Sequence, residues 1–182
     1  MRASSRPAAQ QGISLIEMMI TVAIFVILAL MALPMFTTWL ASQQVRTATE
    51  AVLDGLRATQ GEAVKRNSAV RFVLTSGTGW QAQLVSDDSV VKEALFSEGA
   101  LKVKFTATPS GTTTVVFDGL GRVLDSAQAP LTKRITWDVD SSKVSTGVRN
   151  LRVVVDTAAA TGVAIKSCDP KLSVGDPRAC PA

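Results

Sequence analysis

The sequence predicts an α+β domain in which one long N-terminal helix lies on antiparallel β-structure. Two observations predict it, the long helix and the strands that follow. Residues 13–36 are almost wholly apolar, and a helical stripe continues beyond them to about residue 67. After Asn67-Ser68 the pattern switches to two-residue alternation, in short runs bounded by Gly, Asp and Ser turns. The two cysteines, Cys168 and Cys180, stand close together near the C-terminus.

The opening residues 1–12 are small, polar and basic, with Arg2 and Arg6. By the positive-inside rule these arginines stay cytoplasmic. Residues 13–36 follow as a helix. About 24 helical residues span roughly 36 Å, enough to cross a bilayer. The only charge in this segment is Glu17. A carboxylate at mid-membrane costs roughly 2.5–3.5 kcal/mol, less near the edge, so something should compensate it. A cut between Gly12 and Ile13 frees an α-amino group four residues before Glu17. That amine, positive at neutral pH, can pair with Glu17 of its own chain or of a neighbour. The competing reading is an ordinary signal peptide or anchor. Against it, a secretory apolar core is about 7–15 residues long, and Ala29-Leu30-Met31-Ala32 lacks the usual cleavage spacing. Pro34 removes one backbone donor, so a kink is expected there.

Residues 37–67 read as an amphipathic continuation of the same helix. Val45, Ala48, Val52, Leu56, Thr59 and Ala63 form one stripe at three- and four-residue steps. Arg46, Glu50, Asp54, Arg57 and Lys65 lie largely off it. Gly55 and Gly61 each weaken the helix by roughly 1 kcal/mol relative to alanine. The stripe is expected to pack on a sheet.

Residues 68–182 are expected to be β-rich. Val70–Leu74 reads as a strand, Ser76–Gly79 as a turn, and Trp80–Val85 as the hairpin partner. Asp87-Asp88-Ser89 is a turn, and Val90–Phe96 a weaker strand or loop. Leu101–Phe105 alternates cleanly, placing Lys102 and Lys104 on the wet face. Thr113–Phe117, Ile135–Val139, Leu151–Val155 and Gly162–Lys166 complete the series, with a turn at Asp118–Gly121. The tail has few apolar residues and two Asp-Pro steps, and is expected to lack regular structure.

Composition narrows the chemistry. The 19 basic and 15 acidic residues give +4, and without Arg2 and Arg6 the balance is +2. The basic pI is therefore no argument for a nucleic-acid partner. There is no histidine, which removes the commonest general base and metal ligand. No catalytic residue, metal site or cofactor is expected. Asp138 and Asp140 share one strand face, but no accompanying motif makes them an acid–base couple. In an exported domain the two cysteines read as a disulfide, with a metal site as the alternative.

Gly12, Ile13, Ser14-Leu15-Ile16-Glu17 and the apolar run Met18–Phe36 resemble the class III signal of type IV pilins and type II secretion pseudopilins. Ile13 stands where phenylalanine is commonest. Three further stretches resemble the GspH/FimT group of minor pilins and pseudopilins. They are Leu56–Asn67, Phe117–Arg122, and the pair Cys168-Asp169-Pro170 with Arg178-Ala179-Cys180. The resemblance implies a pilin-like fold and a non-enzymatic subunit of the bacterial inner membrane, with a single-pass helix and a periplasmic C-terminal domain. It implies cleavage between Gly12 and Ile13 by a prepilin peptidase, N-methylation of Ile13, and assembly into a pilus or pseudopilus. The partners would be other pilins, minor pilins or pseudopilins, met through the N-terminal helix, with Glu17 as the assembly residue. The cysteine loop favours a type IV pilus, and pseudopilin H of a type II secretion system is the alternative.

A third reading is a DNA-binding minor pilin for natural transformation. Some FimT-like proteins bind DNA through a Gly-Arg-x-Arg stretch before the C-terminal loop. Here that place reads Gly162-Val163-Ala164-Ile165-Lys166, without either arginine. The candidate DNA contacts left are Arg149, Arg152, Lys166, Lys171 and Arg178. Clustered cations suffice for phosphate contact, but ordinary solvated surface charges are the favoured reading.

Overall fold

The computed structural model describes residues 13–75, 79–96, 103–125, 128–144, 146–157, 162–173 and 175–181. Residues 1–12, the turn residues 76–78 and the strand start at Leu101-Lys102 lie outside this set. The elements in chain order are α1 (Leu15–Arg66), β1 (Val70–Thr75), β2 (Gly79–Leu84), β3 (Val90–Leu95) and β4 (Val103–Thr108). β5 (Thr114–Phe117), β6 (Val123–Leu124), β7 (Ile135–Ser141), β8 (Leu151–Asp156) and β9 (Ala164–Cys168) follow. The chain forms two units, Met1–Thr37 and Thr38–Ala182.

In the first unit every residue from Ile13 to Thr37 is exposed except Ala29, which is half-buried. Such a helix is apolar all round and has no protein core of its own to bury against. Pro34 sits inside α1 without ending it.

In the second unit α1 becomes one-sided. Ala41, Val45, Ala48, Val52, Leu56, Thr59 and Ala63 are all buried, which includes every residue of the stripe read from sequence. Two buried hydroxyls are satisfied within the helix itself. Thr49 Oγ1 donates to the Val45 carbonyl at 2.7 Å, and Thr59 Oγ1 to the Gly55 carbonyl at 2.8 Å. The helix closes at Asn67, whose φ is +47°. The Asn67 and Ser68 amides donate to the Val64 and Ala63 carbonyls, both at 3.2 Å, a Schellman closure.

The strands form two antiparallel sheets, ordered β3-β2-β1-β5-β6 and β4-β7-β8-β9. The sequence pattern predicts one sheet under the helix. The difference follows from size. Nine strands side by side would be roughly 40 Å wide, whereas a helix is about 10–12 Å across. Two smaller sheets can both reach one apolar stripe. Phe72 of β1 links them, its ring centroid 6.0 Å from Trp80 of β2 and 6.2 Å from Trp137 of β7. Phe117, Val139, Val153 and Val155 belong to the same core.

The weak segment Val90–Phe96 is a true strand, β3, at the sheet edge. The short β6 is absent from the sequence prediction, since two residues carry no alternation. Val154 is also buried, yet it alternates with the core residues Val153 and Val155 and so faces away from that core. The C-terminal segment returns toward this sheet, where Arg134 donates to the Pro181 carbonyl at 3.2 Å.

Gly55 has a packing role that outweighs its helix propensity. A Cβ there would stand 2.6 Å from Trp80 Cδ2 and 2.9 Å from Phe72 Cε2. Nothing lies within 4 Å of a Cβ at Gly61. The two glycines should therefore respond oppositely to alanine in thermal unfolding of the purified protein. Gly55→Ala is expected to destabilise by about 1–3 kcal/mol through overpacking. Gly61→Ala is expected to stabilise by up to about 1 kcal/mol.

Candidate functional site

Three places carry the residues singled out in the sequence. The first is the start of α1. Gly12 lies outside the described residues. Ile13 is exposed, and the Ser14 carbonyl accepts the Met18 amide at 3.2 Å, opening the helix. Glu17 therefore stands in the first turn. The spacing Ser14-x-x-Glu17 is a helix-start signature, and a carboxylate there meets the positive end of the helix dipole. This compensation adds to that of a freed amine and needs no cleavage. No other charged residue occurs until Arg46. α1 is the one helix among the described residues long and apolar enough to cross a membrane.

The second place is the turn Asp118–Arg122, packed on the C-terminal end of α1. Gln60 Nε2 donates to the Gly121 carbonyl at 2.9 Å. Gly119 lies so close to Asn67 that an added Cβ would fall 2.6 Å from its Oδ1. The motif around Leu56–Asn67 and the motif Phe117–Arg122 thus meet in space. Asp118 organises the turn. Its carboxylate accepts the Leu120 amide at 3.0 Å, the Arg122 amide at 2.8 Å and Arg122 Nε at 2.8 Å. Burial pushes this carboxyl up, but the Arg122 amide and guanidinium and the Leu120 amide outweigh it and hold it below the usual carboxylate value.

The third place is the C-terminal loop. Cys168 and Cys180 are disulfide-bonded across twelve positions of sequence. A closure of that size contributes roughly 3 kcal/mol in the chain-entropy picture. The tail is more ordered than its composition predicts. Asp169 pairs with Ala179 in a parallel bridge, and its amide donates to the Arg178 carbonyl at 2.8 Å. The Asp169 side chain is only 7% exposed and accepts from Arg149 Nε at 2.9 Å and from the Lys171 amide at 3.0 Å.

The five candidate cations fall into two groups. Arg149, Lys171 and Arg178 surround the disulfide loop. Arg149 and Arg178 also line a cleft of about 380 Å³ with Arg46, Glu50, Leu151 and Asp169. Arg152 and Lys166 share the outer face of the second sheet, at registers Arg152↔Cys168 and Val154↔Lys166. Most of these cations already hold an acceptor. Arg152 grips Asp138 with two bonds, at 2.6 and 3.0 Å. Arg178 grips Asp176 at 3.2 and 3.1 Å, and that hydrogen bond lowers the Asp176 pKa from its ordinary value. Lys171 Nζ donates to the Val148 carbonyl at 3.4 Å. Exposed Lys166 forms no ion pair among the described residues. A phosphate would have to displace carboxylates at Arg149, Arg152 and Arg178. Asp138, read beside Asp140 as a conceivable acid–base pair, is an ion-pair partner instead. No cluster of three metal-ligating side chains occurs among the described residues.

The model of the family Type II transport protein GspH matches residues 48–159. The prokaryotic N-terminal methylation motif matches residues 7–33. Among solved structures, the type IV minor pilin FimU of Pseudomonas aeruginosa is similar, with a TM-score of 0.52 and 13% identity. The match covers 68% of this chain and 89% of that one. The minor pseudopilin EpsH from the Type 2 Secretion System of Vibrio cholerae matches with a TM-score of 0.48 and 10% identity, over 71% and 99% of the two chains. No curated protein sequence matches.

The Asp118 turn makes a pH dependence testable. A carboxyl held below its unfolded value stabilises the fold above that value, about 3.9. The contribution is lost as pH falls through the lower folded value. Urea unfolding should therefore show wild type clearly more stable than Asp118→Asn at pH 6. The difference should shrink as pH falls below about 4.

Proposed function

Since the chain belongs to the family of Type II transport protein GspH, a family of non-enzymatic minor pilins and pseudopilins, we propose that it is a minor pilin built into a type IV pilus. A prepilin peptidase removes residues 1–12 by cutting between Gly12 and Ile13, and Ile13 is N-methylated. Residues 13–36 hold the subunit in the bacterial inner membrane by a single pass, with residues 68–182 in the periplasm. From there it joins other pilins through the helix and supports the start of the fibre.

One observation carries this reading. A lone carboxylate, Glu17, opens a helix with no further charge before Arg46, and it lies inside the matched methylation motif. In lipid such a carboxylate is poorly satisfied. In a bundle of helices the Ile13 amine of an adjacent subunit offsets it, so the same residue favours leaving the bilayer for the fibre. The disulfide-closed C-terminal loop supports the pilus within this family. A second reading, pseudopilin H of a type II secretion system, is favoured by the matched family's own description.

The mature protein should begin at N-methylated Ile13, read by mass spectrometry from cells with an active peptidase. A chain still beginning at Met1 would refute the subunit reading. Glu17→Ala should be cleaved nearly as wild type yet recovered several-fold less in sheared fibres. Wild-type protein in sheared pili, with exoprotein secretion intact in the deletion strain, supports the pilus. Lost secretion with normal pili supports the pseudopilus.

A further inference from the structure

The second unit opens on a turn of helix that its core does not cover. Ala41 is buried, but Trp39 and Leu40 beside it are 55% and 41% exposed. Trp39 lies three residues beyond Phe36, where the apolar segment read from sequence stops. The same end of the unit carries the β7–β8 connection. Gly147 approaches Thr38, whose Cγ2 stands 3.1 Å from the place of an added Cβ, and the Arg149 amide donates to Ser42 Oγ at 3.4 Å. Around this connection stand exposed Lys143, half-exposed Arg149 and Lys171, whose ammonium reaches the Val148 carbonyl. Arg149 is paired with buried Asp169 and also feels Asp176, whereas Lys143 and Lys171 form no ion pair among the described residues. An exposed indole and leucine at the end of an apolar segment, on the same end of the unit as several cations, make the composition of a membrane–water interface.

We propose that this end of the globular unit is a lipid-docking surface. Trp39 and Leu40 enter the headgroup layer, and Lys143 and Lys171 face the phosphates of anionic phospholipid, while Arg149 stays closed on Asp169. The inference rests on the reading that residues 13–36 cross a bilayer, because the chain passes directly from Thr37 into this turn. Charge complementarity selects the partner: a zwitterionic surface offers these cations no net attraction, whereas an anionic one does. Each cation near such a surface adds about a fivefold gain in surface affinity. The subunit waiting in the membrane is thereby seated on the leaflet, and it must release this contact to enter a fibre.

Full-length protein in nanodiscs tests this by hydrogen exchange. The peptide covering 141–150 should exchange at least about fivefold more slowly in phosphatidylglycerol-containing discs than in pure phosphatidylcholine discs. The difference should vanish in high salt and fall in Lys143→Ser, a variant that leaves the Arg149–Asp169 pair in place. Equal exchange in the two lipids, with residues 13–36 protected in both, overturns the docking surface and leaves the anchor reading standing. Unprotected residues 13–36 overturn the anchor reading and the docking surface with it. A second readout is quenching of Trp39 by brominated lipids, since Trp80 and Trp137 are buried in the protein core. Quenching should be strongest with bromines placed near the headgroups, and its absence overturns the proposal.

Discussion

One helix has to satisfy two solvents, and that constraint organises the molecule. Before Thr38 its side chains are almost all apolar, on every side of the helix, and all but Ala29 are exposed. After Ala41 a single stripe is buried and the charges Arg46, Glu50, Asp54 and Arg57 face outward. Hydrocarbon asks for apolarity all round, whereas a protein core asks for it on one side only. Both β-sheets are fitted to the one-sided part. Phe72, Trp80, Phe117 and Trp137 fill the space beside the stripe. The sheets meet through these rings, not through a shared strand.

Much of this is legible in sequence because it depends on periodicity. The stripe Val45, Ala48, Val52, Leu56, Thr59, Ala63 needs only spacing, and every member is buried. The clean alternation of Ile135–Val139 gives the burial pattern of β7 directly. What depends on long-range fit is not legible. Gly55 reads as a helix weakness, and only the position of Trp80, brought in by β2, reveals it as a notch. The division into two sheets depends on which strands pair, and strand order leaves no mark in composition. Val154 alternates out of the core yet is buried, in a protein whose C-terminal segment returns to the second sheet.

At the candidate sites the legible part is again local. Ser14-x-x-Glu17 and the cysteine spacing are visible in the chain itself. The pairing of Arg149 with Asp169 is a long-range event, and so is that of Arg152 with Asp138. A list of cations cannot foresee them. They change the meaning of the cations, because an arginine already closed on a carboxylate offers less to a phosphate than its formal charge implies. Asp169 is the extreme case: its carboxylate ties the start of the disulfide loop to Arg149 of the β7–β8 connection, so charge here serves the architecture of the tail.

The only polar groups on the buried face of α1, the hydroxyls of Thr49 and Thr59, bond to carbonyls of that same helix. No directional bond from this dry face therefore dictates where the helix rests. Across that dry face the fit is one of relief, a hollow at Gly55 receiving an indole, while Gln60 and Ser42 make bonds at its borders. Relief can be conserved by many alphabets of side chain, provided large and small positions trade places together. A lineage held by such a rule can drift until few letters coincide while the architecture stays put. A protein with 13% identity to this chain has the same fold.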